Sequence, residues 1–311
     1  MKKQSMFEEV PCNICGSTMY RIIYPAQRNK TNSEIDEFHA SGDEPLVDQL
    51  VKCNRCGLIY VNPRLRQDIV IKGYSEGSDE RFVSQAEARE RTFDRALNKI
   101  EKYATKGKIL DVGTAGGSFL AAAQKRGWIV QGCEPNKWLA AWGRKRYSIP
   151  IDTGTLHDQR YPSDSYNAVT LWDVIEHTPD PAAVFHECNR ILKKKGILVV
   201  NYPDIGSIVS RIMGSRWVFL LSVHLYYFTP KTMQALLKKE GFEVIYRRPH
   251  LQKLQLGYLL TRAGAYIPFL VPFGKKLANI LGIEKKQVPY WIGQTFIIAR
   301  KVAPSRREYI P

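Results

Sequence analysis

The middle of this 311-residue chain alternates short apolar runs with amphipathic or polar stretches. Runs of strand length fall at 108–112, 129–133, 149–152, 168–172 and 197–201, with stretches between them that are long enough for helices or loops. Parallel strands need such crossovers, so the pattern predicts an α/β fold with a doubly wound, mostly parallel sheet. Just upstream, Phe93, Leu97 and Ile100 recur at helical spacing and predict an amphipathic helix within 85–104 that lies against the sheet.

Glycines follow the first predicted strand in the sequence Gly107-Lys-Ile-Leu-Asp-Val-Gly-Thr-Ala-Gly-Gly-Ser118. The strand carries Asp111 to the carboxyl edge of the sheet, where Gly113 and Gly117 let backbone amides approach a ligand. Glu134 follows the second strand, 21 residues after Gly113, and its carboxylate suits two ribose hydroxyls. Strand, glycine turn and acid together indicate a nucleoside site.

The spacing of this loop differs from that of a dinucleotide fingerprint. It reads Asp111-x-Gly113-x-Ala115-x-Gly117, which resembles the nucleoside loop of class I S-adenosylmethionine-dependent methyltransferases. Residues 164–178 resemble that family's fourth strand and its exit, and 191–202 resemble its helix-to-fifth-strand join. The resemblance covers roughly 90–250. It implies a Rossmann-like sheet of seven strands, closed by an antiparallel hairpin of 242–247 and 295–300.

The resemblance also implies a role for each matching residue. Asp111, Gly113 and Gly117 would hold the amino-acid end of the cofactor and Glu134 the ribose, with Thr114 and Pro135 as neighbouring cofactor-binding candidates. Thr155 and Leu156 would meet the adenine edge, and Asp173 would lie beside the cofactor after the fourth strand.

Two positions depart from the family pattern. Ala115 stands where a second glycine is usual, and its methyl group is tolerable if the backbone there is not left-handed. Gly154-Thr155-Leu156 lacks the acid with which many relatives bind the adenine amino group. That contact is therefore expected from a neutral hydroxyl or from the backbone.

Histidines are the candidate catalysts, because methyl transfer to a hydroxyl needs a base and imidazole titrates near neutrality. His177 follows Asp173-Val-Ile-Glu176 at the exit of the fourth strand, where the acceptor must approach the methyl group. His224 is a second candidate, with a structural role in an aromatic cluster as the alternative. The Glu176–His177 pair is similar to one that binds a divalent cation in some quinone-type O-methyltransferases, although two ligands do not complete a site.

Four of the six cysteines form two similar turns, Cys12-Asn-Ile-Cys15-Gly and Cys53-Asn-Arg-Cys56-Gly, separated by 37 residues. Each turn can aim two thiolates at one ion, and two turns complete a closed four-sulfur site. The prediction is a structural zinc ion in a small zinc-ribbon-like module, with an iron–sulfur centre or no metal as alternatives. Cys133 and Cys188 are predicted to be core residues.

The net charge of +16 lies towards the C-terminus, where 236–311 contain 14 Lys or Arg and four Asp or Glu. Such a surface attracts anions: a phosphate-bearing substrate, nucleic acid or an acidic membrane. The first 30 residues contain no signal-peptide pattern, so a cytoplasmic protein is expected, with the inner membrane surface as an alternative location.

The predicted organisation is a zinc-binding module (1–64), a linker and lead-in helix (65–105), a methyltransferase core (106–250), an apolar and basic insert (251–294) and a last strand with its tail (295–311). The segment 28–48 is polar and expected to be irregular. The insert is expected to form a lid, an element resting on lipid or a plain helical cap, and the apolar run 217–228 to wall the substrate site.

The sequence thus favours a methyltransferase that acts on an O or C centre of a small anionic acceptor, of the sugar, nucleotide-sugar or lipid-linked glycan type. An RNA methyltransferase is the second hypothesis, because zinc modules and a basic balance also occur in nucleic-acid enzymes. The signature Asn-Pro-Pro-Tyr of base-methylating enzymes is absent after the fourth strand, which argues against it. A cofactor-binding protein without catalysis is the third.

Overall fold

The computed structural model describes residues 5–27, 44–77, 80–84, 86–263 and 269–305. Most of the segment expected to be irregular, 28–43, lies outside these ranges, as does the end of the tail. The N-terminal strands are β1 (Phe7–Glu8), β2 (Tyr20–Tyr24), β3 (Leu50–Cys53), β4 (Ile59–Val61) and β5 (Arg64–Leu65). β2, β3 and β4 form an antiparallel sheet, and β1 pairs with β5.

Three helices follow, although the hydropathy pattern predicts only one of them. They are α1 (Gln67–Glu76), α2 (Glu80–Ser84) and α3 (Ala86–Ile100). α3 is the predicted amphipathic helix, and its Leu97 and Ile100 are buried in the core on one face of the central sheet. The predicted linker therefore contains two unpredicted helices.

The central region alternates strands and helices as predicted. Its elements are β6 (Lys108–Val112), α4 (Ser118–Lys125), β7 (Ile129–Glu134), α5 (Lys137–Tyr147), β8 (Ile151–Thr153), β9 (Tyr166–Trp172), α6 (Pro181–Ile191) and β10 (Leu192–Pro203). A short 3₁₀ turn, Ile175–His177, lies between β9 and α6.

The C-terminal elements are α7 (Ile208–Met213), β11 (Tyr226–Tyr227), α8 (Pro230–Lys239), β12 (Phe242–Pro249), β13 (Gln252–Gln255), α9 (Leu256–Ala263), α10 (Val271–Ile280), β14 (Gln287–Tyr290) and β15 (Gln294–Lys301). The seven-stranded sheet has the order β12-β15-β10-β9-β6-β7-β8. Strands β6 to β10 pair in parallel, and β15 is antiparallel to both of its neighbours. The predicted doubly wound sheet and its closing hairpin are thus confirmed.

The core lies on both faces of this sheet because successive strand residues point to opposite sides. Leu110, Val169 and Leu198 are buried on one face, and Ile109, Ala168 and Ile197 on the other. Burial on both faces explains why these strands are continuous apolar runs in the sequence. Cys133 and Cys188 are buried core residues, as predicted.

The N-terminal sheet is completed by a strand from the distant part of the chain. β11 pairs with β4 in antiparallel register, with Tyr226 opposite Tyr60 and Tyr227 opposite Ile59. Cys12 and Tyr60 belong to the same buried cluster as Leu110 of the central sheet. The module therefore packs directly on the core.

The insert forms the antiparallel hairpin β13–β14, which encloses α9 and α10. Within the described part of the chain, no helix has the length and the hydrophobicity that crossing a bilayer requires.

Candidate functional site

The loop after β6 is built for close approach. Gly113 has φ +64°, and a Cβ on it would lie 2.7 Å from Cγ2 of Val174. Only glycine fits a backbone that is both left-handed and this crowded. The loop therefore lies against the segment that leaves β9.

Ala115 has φ +48°, so its backbone is left-handed. The expectation that a methyl group is tolerated here only without that conformation is wrong, since this chain accepts the strained geometry. The strain accompanies a contact, because the Ala115 N–H donates to Oε2 of Glu134 at 2.7 Å. The N–H of Asn136 donates to Oε1 at 2.8 Å.

Glu134 is completely buried at the end of β7. Burial raises the pKa of its carboxyl to about 7, although the N–H groups of Asn136 and Ala115 and the hydroxyl of Tyr74 all favour the ionised form. Tyr74 belongs to α1, and the side chain of Asn136 holds that helix by donating from Nδ2 to the Tyr74 carbonyl at 2.8 Å. Helix α1 therefore covers the acid that was predicted to bind ribose.

Asp111 lies at the end of β6 and is 2% exposed. Thr170 donates its hydroxyl to Oδ1 at 2.6 Å. Burial raises the pKa of Asp111 to about 7, the bond from Thr170 opposes this shift, and the charge of Glu134 adds to it. Two buried carboxyls with raised pKa values thus flank the glycine loop, a setting suited to a cationic ligand.

An acid is present at the predicted adenine end, at a position that the sequence argument missed. Asp158 accepts the hydroxyl of Thr155 at 2.7 Å and its N–H at 2.8 Å, both on Oδ2. The predicted residues Thr155 and Leu156 line the same cavity as Asp158, together with Pro135. The expectation of a purely neutral contact at this end therefore omitted a neighbouring carboxylate.

Asp173 follows β9 in a left-handed conformation, with φ +53°. Its Oδ1 accepts the side-chain amides of Asn201 and Gln294, each at 2.7 Å. Burial raises the pKa of its carboxyl to about 6, while the bond from Gln294 and the charge of Arg89 oppose that shift. Gln294 begins the last strand, so the closing hairpin helps to fix this acid.

Glu176, His177 and His224 form a cluster at the other end of the cavity. Their ligand-type atoms all lie within 4.8 Å of one another. Glu176 is 1% exposed, and neither of its carboxylate oxygens has a hydrogen-bond partner outside its own residue among the described residues. Burial, and then the charge of Asp173, raises the pKa of the Glu176 carboxyl well above its usual range. An unpartnered buried carboxylate of this kind is costly unless a ligand completes it.

Both histidines are oriented by backbone carbonyls. Nδ1 of His177 is 3.0 Å from the Val223 carbonyl, and Nδ1 of His224 is 2.8 Å from the Phe219 carbonyl. Since a carbonyl only accepts, each Nδ1 carries the proton and each Nε2 keeps its lone pair. Burial lowers the pKa of His177 to about 4 and that of His224 well below its usual range, so both rings are neutral.

The cluster fits a divalent cation. Metal bonds of about 2.1 Å separate neighbouring ligand atoms by about 3 to 4.2 Å, and two neutral histidines with one carboxylate are a common ligand set. The sequence placed His177 beside Glu176, but His224 joins them only because the 217–228 segment folds back over the exit of β9.

One cavity of about 1570 Å³ connects these parts. Its wall includes Asp111, Gly113, Thr114, Pro135, Thr155, Leu156, Asp173, His177 and His224 among the predicted site residues. Gly117 and Glu134 lie behind this wall. Apart from Gly117 and Glu134, the predicted cofactor residues and the candidate catalytic residues therefore line one space.

The four cysteines of the N-terminal module also meet. Sγ of Cys12 is 3.3 Å from Sγ of Cys56, and Sγ of Cys15 is 3.6 Å from Sγ of Cys53. A disulfide would be about 2 Å long, whereas two sulfurs on one tetrahedral zinc ion lie about 3.8 Å apart. The four sulfurs lie within 4.8 Å of one another, so they fit a closed zinc site.

Residues 85–247, just over half of the chain, match the model of a family described as a methyltransferase domain. Two curated proteins named ubiquinone biosynthesis O-methyltransferase are similar to the chain. The one from Psychrobacter arcticus is 28% identical over 154 residues, which are 43% of this chain and 58% of that protein. The one from Photorhabdus laumondii is 33% identical over 97 residues, 29% of this chain and 40% of that protein.

The chain thus spans only about half the length of these curated relatives. Among solved structures, a SAM-dependent methyltransferase from Archaeoglobus fulgidus superposes with a TM-score of 0.48 at 18% identity. The superposition covers 72% of this chain and all of that one.

Proposed function

This chain belongs to the methyltransferase domain family, and on that premise we propose that it transfers a methyl group from S-adenosylmethionine to an O or C centre of a small acceptor. This proposal rests mainly on the single cavity that joins the glycine loop to the cluster of Glu176, His177 and His224. Ligand pockets commonly measure about 300 to 1000 Å³, so a cavity of about 1570 Å³ has room for cofactor and acceptor together.

At the cofactor end, we assign Asp111, Gly113, Thr114 and Gly117 to the amino-acid part, Glu134 and Pro135 to the ribose, and Asp173 to the region beside the sulfonium. Thr155 and Leu156 meet the adenine, and Asp158 supplies the acceptor for its amino group. An Asp158→Asn variant with unchanged cofactor affinity would contradict that last assignment.

At the acceptor end, we assign Glu176, His177 and His224 to activation of an acceptor hydroxyl, which favours an O centre. A histidine base needs only an Nε2 lone pair. A bound divalent cation also accounts for the Glu176 oxygens, which have no hydrogen-bond partner outside their own residue among the described residues. The cation is therefore the better supported alternative, and when bound it lowers the pKa of a coordinated hydroxyl. The names of the curated relatives also favour an O centre.

The acceptor is proposed to be a sugar, nucleotide-sugar or lipid-linked glycan that carries an anionic group. Inside the cavity, six carboxyl side chains outnumber three Lys or Arg. The anionic group of the acceptor is therefore better placed outside, against the basic surface of the 251–294 insert, with the reacting hydroxyl inside. The same acidic wall disfavours an RNA strand within the cavity.

Incubation with methyl-labelled cofactor and a cell extract tests this proposal, followed by separation of RNA, protein, lipid and small molecules. Label is expected in the small-molecule or lipid fraction, and an Asp111→Asn variant serves as the negative control. Label in RNA alone would favour the nucleic-acid alternative. Absence of cofactor binding by calorimetry would refute the function itself.

The four cysteines are proposed to hold a structural zinc ion, because the distances between their sulfurs fit a tetrahedron. Four cysteine ligands fill all four positions on the ion, whereas a catalytic zinc site keeps one position open.

A further inference from the structure

An exposed apolar stripe runs along the outer side of α10. Phe273, Leu277 and Ile280 follow helical spacing and are 70%, 45% and 72% exposed. Three further apolar side chains continue the stripe at both ends of the helix: Phe269, Leu270 and Leu281, at 76%, 49% and 58% exposed. Soluble surfaces rarely place six large apolar side chains side by side, so this stripe indicates a binding surface.

A neighbouring side of α10 is already used for packing. Ala278 is buried, and the side chain of Leu260 in α9 lies against Gly274, close enough that a Cβ there would be 3.2 Å from its Cδ2. The turn after α10 is bonded to the start of α9, because Gly257 N–H donates to the Glu284 carbonyl at 2.9 Å. One side of the helix is thus packed on the insert, while the apolar stripe is exposed and lies outside the contacts that the described residues make.

The insert also forms part of the cavity. Leu254, Tyr258, Leu259 and Thr261 belong to the cavity wall. α9 therefore lies between the cavity and α10. The insert thus bounds the acceptor space with α9 and carries the exposed stripe on α10.

The charges beside the stripe indicate which kind of partner it binds. The insert contains six Lys or Arg and one acidic residue, Glu284. Lys276 is exposed at the edge of the stripe, and Lys285 and Lys286 are exposed just beyond it. Apolar side chains bordered by lysines match the boundary of a bilayer with acidic headgroups.

A second copy of the chain fits less well. A symmetric contact would bring the two sets of lysines together, and a ten-residue helix offers far less than the roughly 800 Å² per partner of a stable interface.

We propose that α10 and its lysines dock the protein on an anionic lipid surface, so that the methyl acceptor reaches the cavity from the membrane. The arrival of the methyl acceptor from the membrane rests on the proposed function, whereas the docking does not. Docking places the insert at the interface, with the apolar stripe in contact with acyl chains and the lysines among the headgroups.

Co-sedimentation with vesicles tests the docking, using phosphatidylcholine alone and phosphatidylcholine with phosphatidylglycerol. Binding is expected only with the anionic vesicles and should weaken as salt is raised. A Phe273→Ser/Ile280→Ser variant is expected to bind at least about tenfold more weakly, because each substitution removes a large apolar group that docking would bury in the bilayer. A Lys276→Gln/Lys285→Gln variant, which removes two of the exposed lysines beside the stripe, should lose about tenfold.

Ile129→Ser is the matched control, since Ile129 is 63% exposed on the sheet and far along the chain from the insert. Its vesicle binding is expected to equal that of the wild type, and calorimetric melting checks that all variants are folded. Wild-type protein that ignores anionic vesicles, or binds them as well without Phe273 and Ile280, would overturn the docking. The stripe would instead bind a second copy of the chain if the wild type formed a concentration-dependent dimer and did not bind vesicles. The Phe273→Ser/Ile280→Ser variant would then abolish that dimer. Intact vesicle binding without cofactor binding would instead refute the proposed function alone.

Discussion

Asn13, inside the first Cys-x-x-Cys turn, donates from Nδ2 to Oδ1 of Asp180 at 2.8 Å. Its own Oδ1 accepts the N–H of Ala182 at 2.9 Å, and Asp180 caps α6 through the N–H of Ala183. Asp180 ends the short segment that carries Glu176 and His177. The cysteine turn is therefore joined by direct hydrogen bonds to the end of the segment that carries Glu176 and His177.

Loss of zinc is expected to disturb the acceptor end as well as the module. Cys53→Ser should release the metal and lower the melting temperature, because a closed zinc site contributes folding free energy directly. Metal analysis of the purified protein, with calorimetric melting, measures both. Purified wild-type protein without zinc would end this proposal.

The Asn13 link can be tested with the metal still bound. Asn13→Ala is expected to lower the free energy of unfolding by about 1 to 3 kcal/mol, because two hydrogen bonds in a partly buried site are lost. Asn54 occupies the equivalent position of the second turn but is exposed, so Asn54→Ala is the matched control. Equal stability of the two variants in denaturant titrations would contradict the link.

Glu134 is expected to contribute to cofactor affinity once the ribose displaces Tyr74 from its carboxylate. Glu134→Ala should weaken binding by about 1.5 to 3 kcal/mol, the range for hydrogen bonds to a charged group. Tyr74→Phe should strengthen binding. In the wild type the ribose hydroxyls must first displace the Tyr74 hydroxyl from the Glu134 carboxylate, and the variant has no such hydroxyl to displace. Calorimetric titration gives both affinities, and an unchanged value for Glu134→Ala would remove this residue from the site.

Cofactor binding is expected to depend on pH near neutrality. In the free protein the pKa values of Asp111 and Glu134 are raised to about 7, so both carboxyls retain protons that an unfolded chain releases near pH 4. For these groups, the stability of the free protein falls as pH rises from about 4 to 7. A cationic ligand favours the ionised forms, so affinity should rise about tenfold between pH 6 and 8 for each carboxyl that must ionise.

Calorimetry in two buffers of different ionisation enthalpy detects the accompanying proton release near pH 6.5. Constant affinity and no proton release would show that neither carboxyl changes its charge on binding.

The cluster of Glu176, His177 and His224 is expected to bind one divalent cation. Titration with Mn²⁺, followed by its paramagnetic resonance signal, should show a site that Glu176→Gln or His224→Gln removes. His177→Ala and both of these variants should lower turnover by about 10² to 10⁴ while cofactor affinity stays nearly unchanged. His157→Gln is the control, because His157 lines the cavity but is exposed. Full activity without any Mn²⁺ site would return the histidines to a structural role.

Ala115→Gly is expected to stabilise the protein. A left-handed backbone costs an alanine about 1 to 2 kcal/mol, and part of this gain is offset by the freer unfolded chain of glycine. The free energy of unfolding should therefore rise by about 0.5 to 1 kcal/mol in denaturant titrations. A fall in stability would show that the Ala115 methyl group makes compensating contacts.

The alternation of apolar runs was enough to predict the central sheet. Each predicted strand was found within a few residues, because strands buried on both faces are apolar throughout. The same pattern could not reveal α1, whose Tyr74 covers Glu134, because that helix is short and mostly half-exposed. Its role depends on a tertiary contact that leaves no periodic signal.

Most of the residues that a motif marked, from Asp111 to His177, line the one cavity, and their roles stay predictions. Asp158 was missed because its carboxylate reaches the predicted position through a turn, bonded to Thr155 three residues earlier. The contact between His224 and Glu176 was missed because it depends on where the 217–228 segment packs against the exit of β9. Only the spacing of the polar side chain within an apolar run marked His224 as a candidate.

The pairing of β11 with β4 has a consequence for how this protein could have arisen. A module held on by a flexible tether can be gained or discarded in one genetic event, leaving its neighbour intact. Here the far half of the gene encodes one edge of the module, so a lineage that abandoned the four cysteines would also have to rebuild the loop beside the acceptor.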